Sequence, residues 1–170
     1  LNAYSEYKGF EPVYYIGSSV FRDVNLSTTP TWDRTKNGFR LPTECEWEYA
    51  AKGGPEQKNY MYAGSNVLDD VAWYYWKSKG EAQPVGTKKA NTLGLYDMTG
   101  LSFEWCLDKV NLSSGEYNNP YGSFSHCRGG TCYSYYYYNS SLYVFGKSPS
   151  ELGYSNDSKI CTIRVAQNAQ

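Results

Sequence analysis

An α+β fold is predicted for this sequence, with one or two short helices, many short strands and long irregular connections. Three features predict it. One strong helix start stands at Thr43, where Glu46 completes a capping box. The extended runs are brief and are closed by Gly, Pro, Asn or Ser, as at Gly38-Phe39-Arg40-Leu41-Pro42 and Gln83-Pro84-Val85-Gly86-Thr87. The stretches 109–125 and 148–159 carry turn composition with no apolar period, and loops this long in a compact domain usually serve function.

In chain order, residues 1–15 read as the end of a helix stopped near Lys8-Gly9, followed by an extended Glu11-Pro12-Val13-Tyr14-Tyr15. Residues 16–32 alternate weakly and read as a hairpin or long loop. The helix opened by Thr43 places Trp47, Ala50 and Ala51 on one face, sets Glu44 and Glu48 towards water near its positive end, and stops at Gly53-Gly54. Residues 55–80 read as loop, with an aromatic cluster at Trp73, Tyr74, Tyr75 and Trp76; Asp69 and Asp70 suit a solvated turn or helix start better than a cation site. Residues 96–100 suggest a helical turn or bend, 103–107 a short apolar strand, and 160–166 a final strand in which Ile160, Thr162 and Arg164 alternate with Cys161, Ile163 and Val165.

Composition narrows the function classes. At 170 residues the chain is read as a single domain over 1–170. Sixteen Lys and Arg balance 17 Asp and Glu with no basic block, which argues against nucleic acid as a partner. No apolar run approaches the length of a membrane span. Leu1-Asn2-Ala3-Tyr4-Ser5 has neither a start methionine nor the plan of a signal peptide, so a processed chain or a fragment is expected. Five cysteines (Cys45, Cys106, Cys127, Cys132, Cys161), odd in number and without a CxxC pair, argue against a zinc site and against a fully paired disulfide framework. The Asn-x-Ser triplets at Asn25, Asn111, Asn139 and Asn156 carry little weight in a chain so rich in Asn and Ser.

The most informative stretch runs from Arg128 to Gly146 and includes four consecutive tyrosines, Tyr135 to Tyr138. Tyrosine offers a large, flat contact area with few rotatable bonds and a polar tip, while Ser, Gly and Asn add adaptable hydrogen bonding; binding loops use this composition. The competing reading is a tyrosine-rich core strand. Four tyrosines in a row point to both faces of any strand, so half should meet solvent or a partner. The candidate ligand-binding residues are Tyr133, Ser134, Tyr135, Tyr137, Tyr138, Ser141, Tyr143, Phe145, Ser148 and Tyr154. Catalytic signals are weak. The single histidine, His126, removes His-Asp-Ser and multi-His schemes and reads as a loop or strand-edge residue. Glu104 and Asp108 are read as groups that satisfy backbone amides or pair with an arginine such as Arg40, Arg128 or Arg164.

The string Asn37-Gly38-Phe39-Arg40-Leu41-Pro42-Thr43-Glu44-Cys45-Glu46-Trp47-Glu48-Tyr49-Ala50-Ala51 resembles the hallmark of the formylglycine-generating enzyme, or sulfatase-modifying factor, family. Ordered matches continue at Pro84-Val85-Gly86, at Asn91 with Leu93-Gly94-Leu95-Tyr96-Asp97-Met98, at Glu104-Trp105-Cys106, at Arg128-Gly129-Gly130 and at Ile163-Arg164-Val165-Ala166. The resemblance implies a C-type-lectin-like fold with a small twisted antiparallel sheet and a ligand surface near the C-terminus. It also implies that the family's first strand precedes Leu1, leaving the strand around Ile163 open at an edge. Members that oxidise a target cysteine carry a cysteine pair after Arg-Gly-Gly, and those positions are Ser134 and Asn139 here. The asparagine of the family's calcium site is replaced by Leu101, so no cofactor, calcium included, is assigned.

Another branch of the family, the variable proteins of diversity-generating retroelements, diversifies this same region by rewriting adenines. An AAC codon so treated yields every residue except Lys, Glu, Gln, Met and Trp. Those types supply 32 of 170 residues but none of the 16 from Thr131 to Gly146, which favours that branch. The resemblance therefore implies a non-catalytic protein that binds a protein or glycan, with a cell-surface or secreted location. Oligomers, a degenerate oxidoreductase and thiol chemistry at Cys132 and Cys127 stand as the alternatives.

Overall fold

The computed structural model describes residues 1–23, 28–111, 116–117, 124–133, 145–147 and 161–168. The chain divides into two compact units, Leu1–Leu41 with Arg164–Gln170, and Pro42–Ile163.

In the first unit, helix α1 (Asn2–Tyr7) ends at Lys8, as Lys8-Gly9 predicted. Its buried Asn2 acts as a strand surrogate. The Asn2 carboxamide oxygen accepts from the amides of Val13 and Tyr14, each at 3.0 Å, and its nitrogen donates to the carbonyls of Tyr14 and Phe21 at 2.7 and 3.0 Å. This pins β1 (Tyr14–Ile16), the centre of an antiparallel sheet between β2 (Ser19–Val20) and β3 (Thr31–Trp32). The weakly alternating stretch thus holds a hairpin and a third strand. Strand β4 (Phe39–Arg40) follows Gly38, where a Cβ would lie 2.0 Å from the Glu11 carbonyl oxygen; only glycine fits that approach. The largely buried Arg40 stacks over Trp32, 4.5 Å from its centroid, and donates to Asn168 Oδ1 at 2.8 Å.

The second unit is organised by α2 (Glu44–Lys52). Thr43 accepts from the Glu46 amide at 3.2 Å, Glu46 Oε2 accepts from the Thr43 amide at 2.8 Å, and the helix ends at a left-handed Gly53, so the capping box and stop both stand as read. Trp47 and Ala51 are buried and pack with Ala63, Met98 and Cys106. A second cluster joins Tyr62, Leu68, Val71, Ala72 and Tyr74.

Residues 55–80 are not plain loop. They carry the end of a 3-10 turn (Gly54–Glu56), α3 (Leu68–Val71), β5 (Ala72–Trp73) and α4 (Tyr75–Ser78). Elements of one turn are too short to show a 3.6-residue period and exist because Leu68, Val71 and Ala72 are buried. Asp69 and Asp70 fall in the first turn of α3, the helix-start role assigned to them. Residues 96–100 are not helical: Asp97 has φ 57°, and β6 (Thr99–Gly100) pairs in parallel with β5.

The main sheet has the order β10-β9-β7-β11, with β8 (Glu116–Tyr117) also paired to β7. Strand β7 (Phe103–Asn111) outruns the predicted apolar strand, and β9 (Phe124–Arg128) begins inside the predicted loop. The ladder here mixes polar and apolar pairs, Lys109 with Ser125 beside Val110 with Phe124, and so sets no apolar period in the sequence. Between Trp105 and Lys109 the β9 partners move only from Cys127 to Ser125, so β7 carries a bulge.

The predicted final strand is two separate strands. β11 (Cys161–Thr162) runs parallel to β7, whereas β12 (Ala166–Gln167) runs antiparallel to β4. Residues 163–165 leave the ladder where the partner changes, with Ile163 and Val165 exposed, and among the described residues β11 is the terminal strand of the main sheet, so the strand before Ile163 lies at an edge as expected. No helix among the described residues is long and apolar enough to cross a membrane.

Thr43→Ala removes the capping box and should cost about 1 kcal/mol, a fall of about 2–4 °C in the thermal midpoint. Gly38→Ala should cost more, because its clash is with backbone. Equal midpoints for the two variants in a thermal scan would contradict this ranking.

Candidate functional site

The site grows from the end of β9, where the Arg128 side chain is wholly buried. A buried guanidinium needs opposite charge, because taking it out of water alone costs several kcal/mol. Its Nη2 donates to Glu48 Oε2 at 2.8 Å and its Nη1 lies 3.2 Å from Glu44 Oε1. Glu44 and Glu48 therefore do not face water as read from the helix start; spaced i,i+4, they share the side turned to β9 and are 15% and 27% exposed. Arg128 also stacks over Trp47, 5.3 Å from the ring centroid, and the Trp47 indole donates to Glu104 Oε2 at 2.7 Å. Asp108 accepts from the amide of Glu44, the first residue of α2. Asp108 thus fills the backbone-amide role read for it, while Glu104 holds the tryptophan of the same helix.

Beyond Arg128 the chain is threaded through the core. Gly129 has φ 103°, and a Cβ there would meet the Ser102 carbonyl oxygen at 3.3 Å and Trp47 at 3.4 Å. The Gly129 carbonyl accepts from the Gly100 amide at 2.6 Å, and the Cys132 amide donates to the Leu101 carbonyl at 3.0 Å. Leu101 itself sits at φ 61°, a conformation that asparagine, the family's residue there, adopts more readily. Ser78 Oγ donates to the Cys132 carbonyl at 2.5 Å, and Thr131 and Cys132 are fully buried.

Tyr133 is where the chain leaves this anchor. It is half-buried, and its ring and that of Tyr75 both lie against Gly80, 3.5 and 3.4 Å from where a Cβ would sit. Trp76, 59% exposed, packs edge-on against Tyr75 with centroids 5.7 Å apart. An aromatic surface of Tyr133, Tyr75 and Trp76 results. In the sequence the cluster at 73–76 lies within a stretch of loop composition, and its signal is two adjacent aromatics following Tyr74, whose hydroxyl donates to Asp69 at 2.6 Å and so faces the other way.

Of the other candidate ligand-binding residues, Phe145 opens β10 (Phe145–Lys147) opposite Cys127. Ser134, Tyr135, Tyr137, Tyr138, Ser141, Tyr143, Ser148 and Tyr154 lie outside the described residues. His126 is in β9, which has β7 on one side and β10 on the other, and so is neither in a loop nor at an edge. Among the described residues no group of three His, Cys, Asp or Glu side chains could hold a metal ion. Burial pushes the thiols of Cys132 and Cys106 up, which disfavours their thiolates.

Partial burial opposes ionisation of Glu48, but the Lys52 ammonium and then the Arg128 guanidinium outweigh it and hold the carboxyl below its ordinary value of 4.5. A depressed carboxylate stabilises the fold fully above its unfolded value and loses that contribution as pH falls through the folded one. Denaturant stability should therefore decline in acid below about pH 4.5, and Glu48→Gln should flatten that decline. Arg128→Met should cost about 3–5 kcal/mol by leaving two carboxylates at a buried site; a loss under 1 kcal/mol would contradict the role given to this pair.

Comparison with known proteins places this geometry. Residues 2–163 match the profile of the sulfatase-modifying factor enzyme 1-like domain. The chaperone protein LppX of Paenibacillus barcinonensis is 40% identical over 129 residues, covering 62% of this chain and 46% of its own. The formylglycine-generating enzyme of Mus musculus is 32% identical over 144 residues, 69% of this chain and 38% of the mouse protein. The chain spans less than half the length of either relative. Among solved structures, variable protein 1 of Treponema denticola superposes with a TM-score of 0.72 at 32% identity, over 87% of this chain and 61% of that one. Few helices, small sheets and this match over nearly the whole sequence make the chain a member of the sulfatase-modifying factor enzyme 1-like family, with its C-type-lectin-like α+β fold.

Proposed function

We propose that this chain is a non-catalytic binding module that presents the residues after Arg128-Gly129-Gly130 to a protein partner. The observation that carries the reading is the exit of Tyr133 from a fully buried anchor to Gly80, which Tyr75 also lines, with the exposed Trp76 packed against Tyr75. A rigid base spares the entropy of ordering a loop, and aromatic rings supply area with direction from their polar tips. Likeness to a variable protein supports display, and the name of the LppX relative, a chaperone, supports a protein rather than a glycan as the ligand. The surface would continue through Ser134, Tyr135, Tyr137, Tyr138, Ser141, Tyr143, Phe145, Ser148 and Tyr154.

The mouse relative is an enzyme by name, and this favours a second reading as an oxidoreductase. Against it stand Ser134 and Asn139 at the positions of the catalytic cysteines, and a wholly buried Cys132 whose thiol is pushed up by that burial. Copper-dependent oxidation of a cysteine peptide, lost in Cys132→Ser, would establish the enzyme and remove the binding module.

Two measurements test the proposal. With a protein ligand in hand, Trp76→Ala and Tyr133→Ala should each weaken the Kd about tenfold or more, with Trp76→Ala leaving the thermal midpoint unchanged; unaltered affinity in both overturns the surface. Sequencing of the neighbouring DNA should find a near-copy of the codons for residues 131–163, differing at adenines, beside a reverse-transcriptase gene. Its absence would remove diversification from the reading.

A further inference from the structure

Cys127 lies in β9 and Cys161 opens β11, on opposite sides of β7 in one sheet. Their partners on β7 are Trp105 and Phe103, two positions apart and so on the same face of that strand. Across this strand the two sulfurs lie 3.1 Å from each other, although 34 positions separate them in sequence. An S–S bond is about 2.05 Å long, so the sulfurs must close by about 1 Å, and because β9 and β11 flank β7 the short β11 must also shift towards β9 to bring the two Cα atoms within the roughly 7 Å that a disulfide spans. Cys127 is fully buried and Cys161 partly exposed, which lets a reagent reach one member of the pair while the other waits behind it.

The remaining thiols are poorly placed to compete. Cys106 and Cys132 are buried like Cys127, but the sulfur contact among the described residues joins Cys127 to Cys161 and includes neither of them; desolvation also holds their thiols up. Cys45 is exposed on α2, yet desolvation and the neighbouring Glu44 and Asp108 carboxylates also push its thiol up.

We propose that Cys127 and Cys161 form a disulfide under oxidising conditions, one that closes residues 128–160, with the Arg-Gly-Gly anchor and the whole tyrosine stretch, into a covalent loop. The oxidant is a small-molecule disulfide such as oxidised glutathione. The Cys161 thiolate attacks it, forms a mixed disulfide and releases one thiol. The Cys127 thiolate then attacks the Cys161 sulfur and expels the second thiol. Two protons and two electrons leave the protein, and the oxidant ends as two thiols. Closing so long a loop removes freedom chiefly from the unfolded chain, while β9 and β11 already hold both ends in the sheet. The link does not rest on the binding reading and would fasten the segment whatever its task.

The test uses the intact chain, incubated with oxidised glutathione, then unfolded in denaturant and alkylated without reductant so that the buried Cys106 and Cys132 also react. Three of the five cysteines should react, the protein mass should fall by two hydrogens, and a tryptic digest should contain one linked peptide joining Cys127 to Cys161. Reduction with dithiothreitol should expose all five cysteines and lower the thermal midpoint by roughly 5–10 °C. Cys161→Ser should melt at one temperature with and without reductant. Five alkylated cysteines after oxidation, a bond through Cys45, Cys106 or Cys132 instead, or a midpoint indifferent to reductant in the unmutated protein would each overturn the proposal.

Discussion

The buried Arg128 guanidinium is the interaction on which the rest of the second unit depends. It draws Glu44 and Glu48 of α2 to the end of β9 and lies over Trp47, whose indole is held by Glu104 of β7. One cation thus ties a helix to two adjacent strands. Such an arrangement adds little net stability over an apolar core of the same shape, but it is intolerant of losing any one member, because the others would be left charged in a dry site. That intolerance accounts for why Arg-Gly-Gly, the Glu-x-x-x-Glu spacing and Trp47 occur together in the sequence.

What the anchor achieves is a fixed starting point for the residues that follow it. Gly129 and Gly130 take positive φ values of 103° and 82°, which turn the chain immediately after the charged cluster. Hydrogen bonds from Gly100, to Leu101 and from Ser78 then hold residues 129–132 before Tyr133 reaches the surface. Catalysis and recognition both require that kind of base, since each needs following residues held in place by a scaffold whose own geometry does not respond to them. A fold able to serve both an enzyme and a variable protein is therefore physically reasonable, and the side chains after the anchor decide which.

The first unit repeats the same device on a smaller scale. Asn2 satisfies four backbone groups of the neighbouring strands, and Arg40 joins Trp32, Leu41 and Asn168. In the first unit single polar side chains do what longer ladders do in larger sheets, which suits strands of only two or three residues.

Local chemistry was legible wherever a signal closes within a few residues. The Thr43–Glu46 capping box, the Gly53 stop, the Lys8-Gly9 stop and the extended run after Gly38 each depend on neighbours in sequence, and the structure places them as read. The sequence by itself also determined family and fold class, because ordered motifs spread over most of the chain are specific even when each is short. Only tertiary structure decided the rest. The one-turn helices at 68–71 and 75–78 exist because Leu68 and Val71 are buried, and the split of the last strand follows from a change of partner between β7 and β4. Glu44 and Glu48 turn from water because a cation 80 residues from Glu48 lies beneath them. The meeting of Tyr133 and Tyr75 at Gly80, and the approach of Cys127 to Cys161, depend likewise on contacts between residues far apart in the chain, and no local period or spacing encodes such contacts.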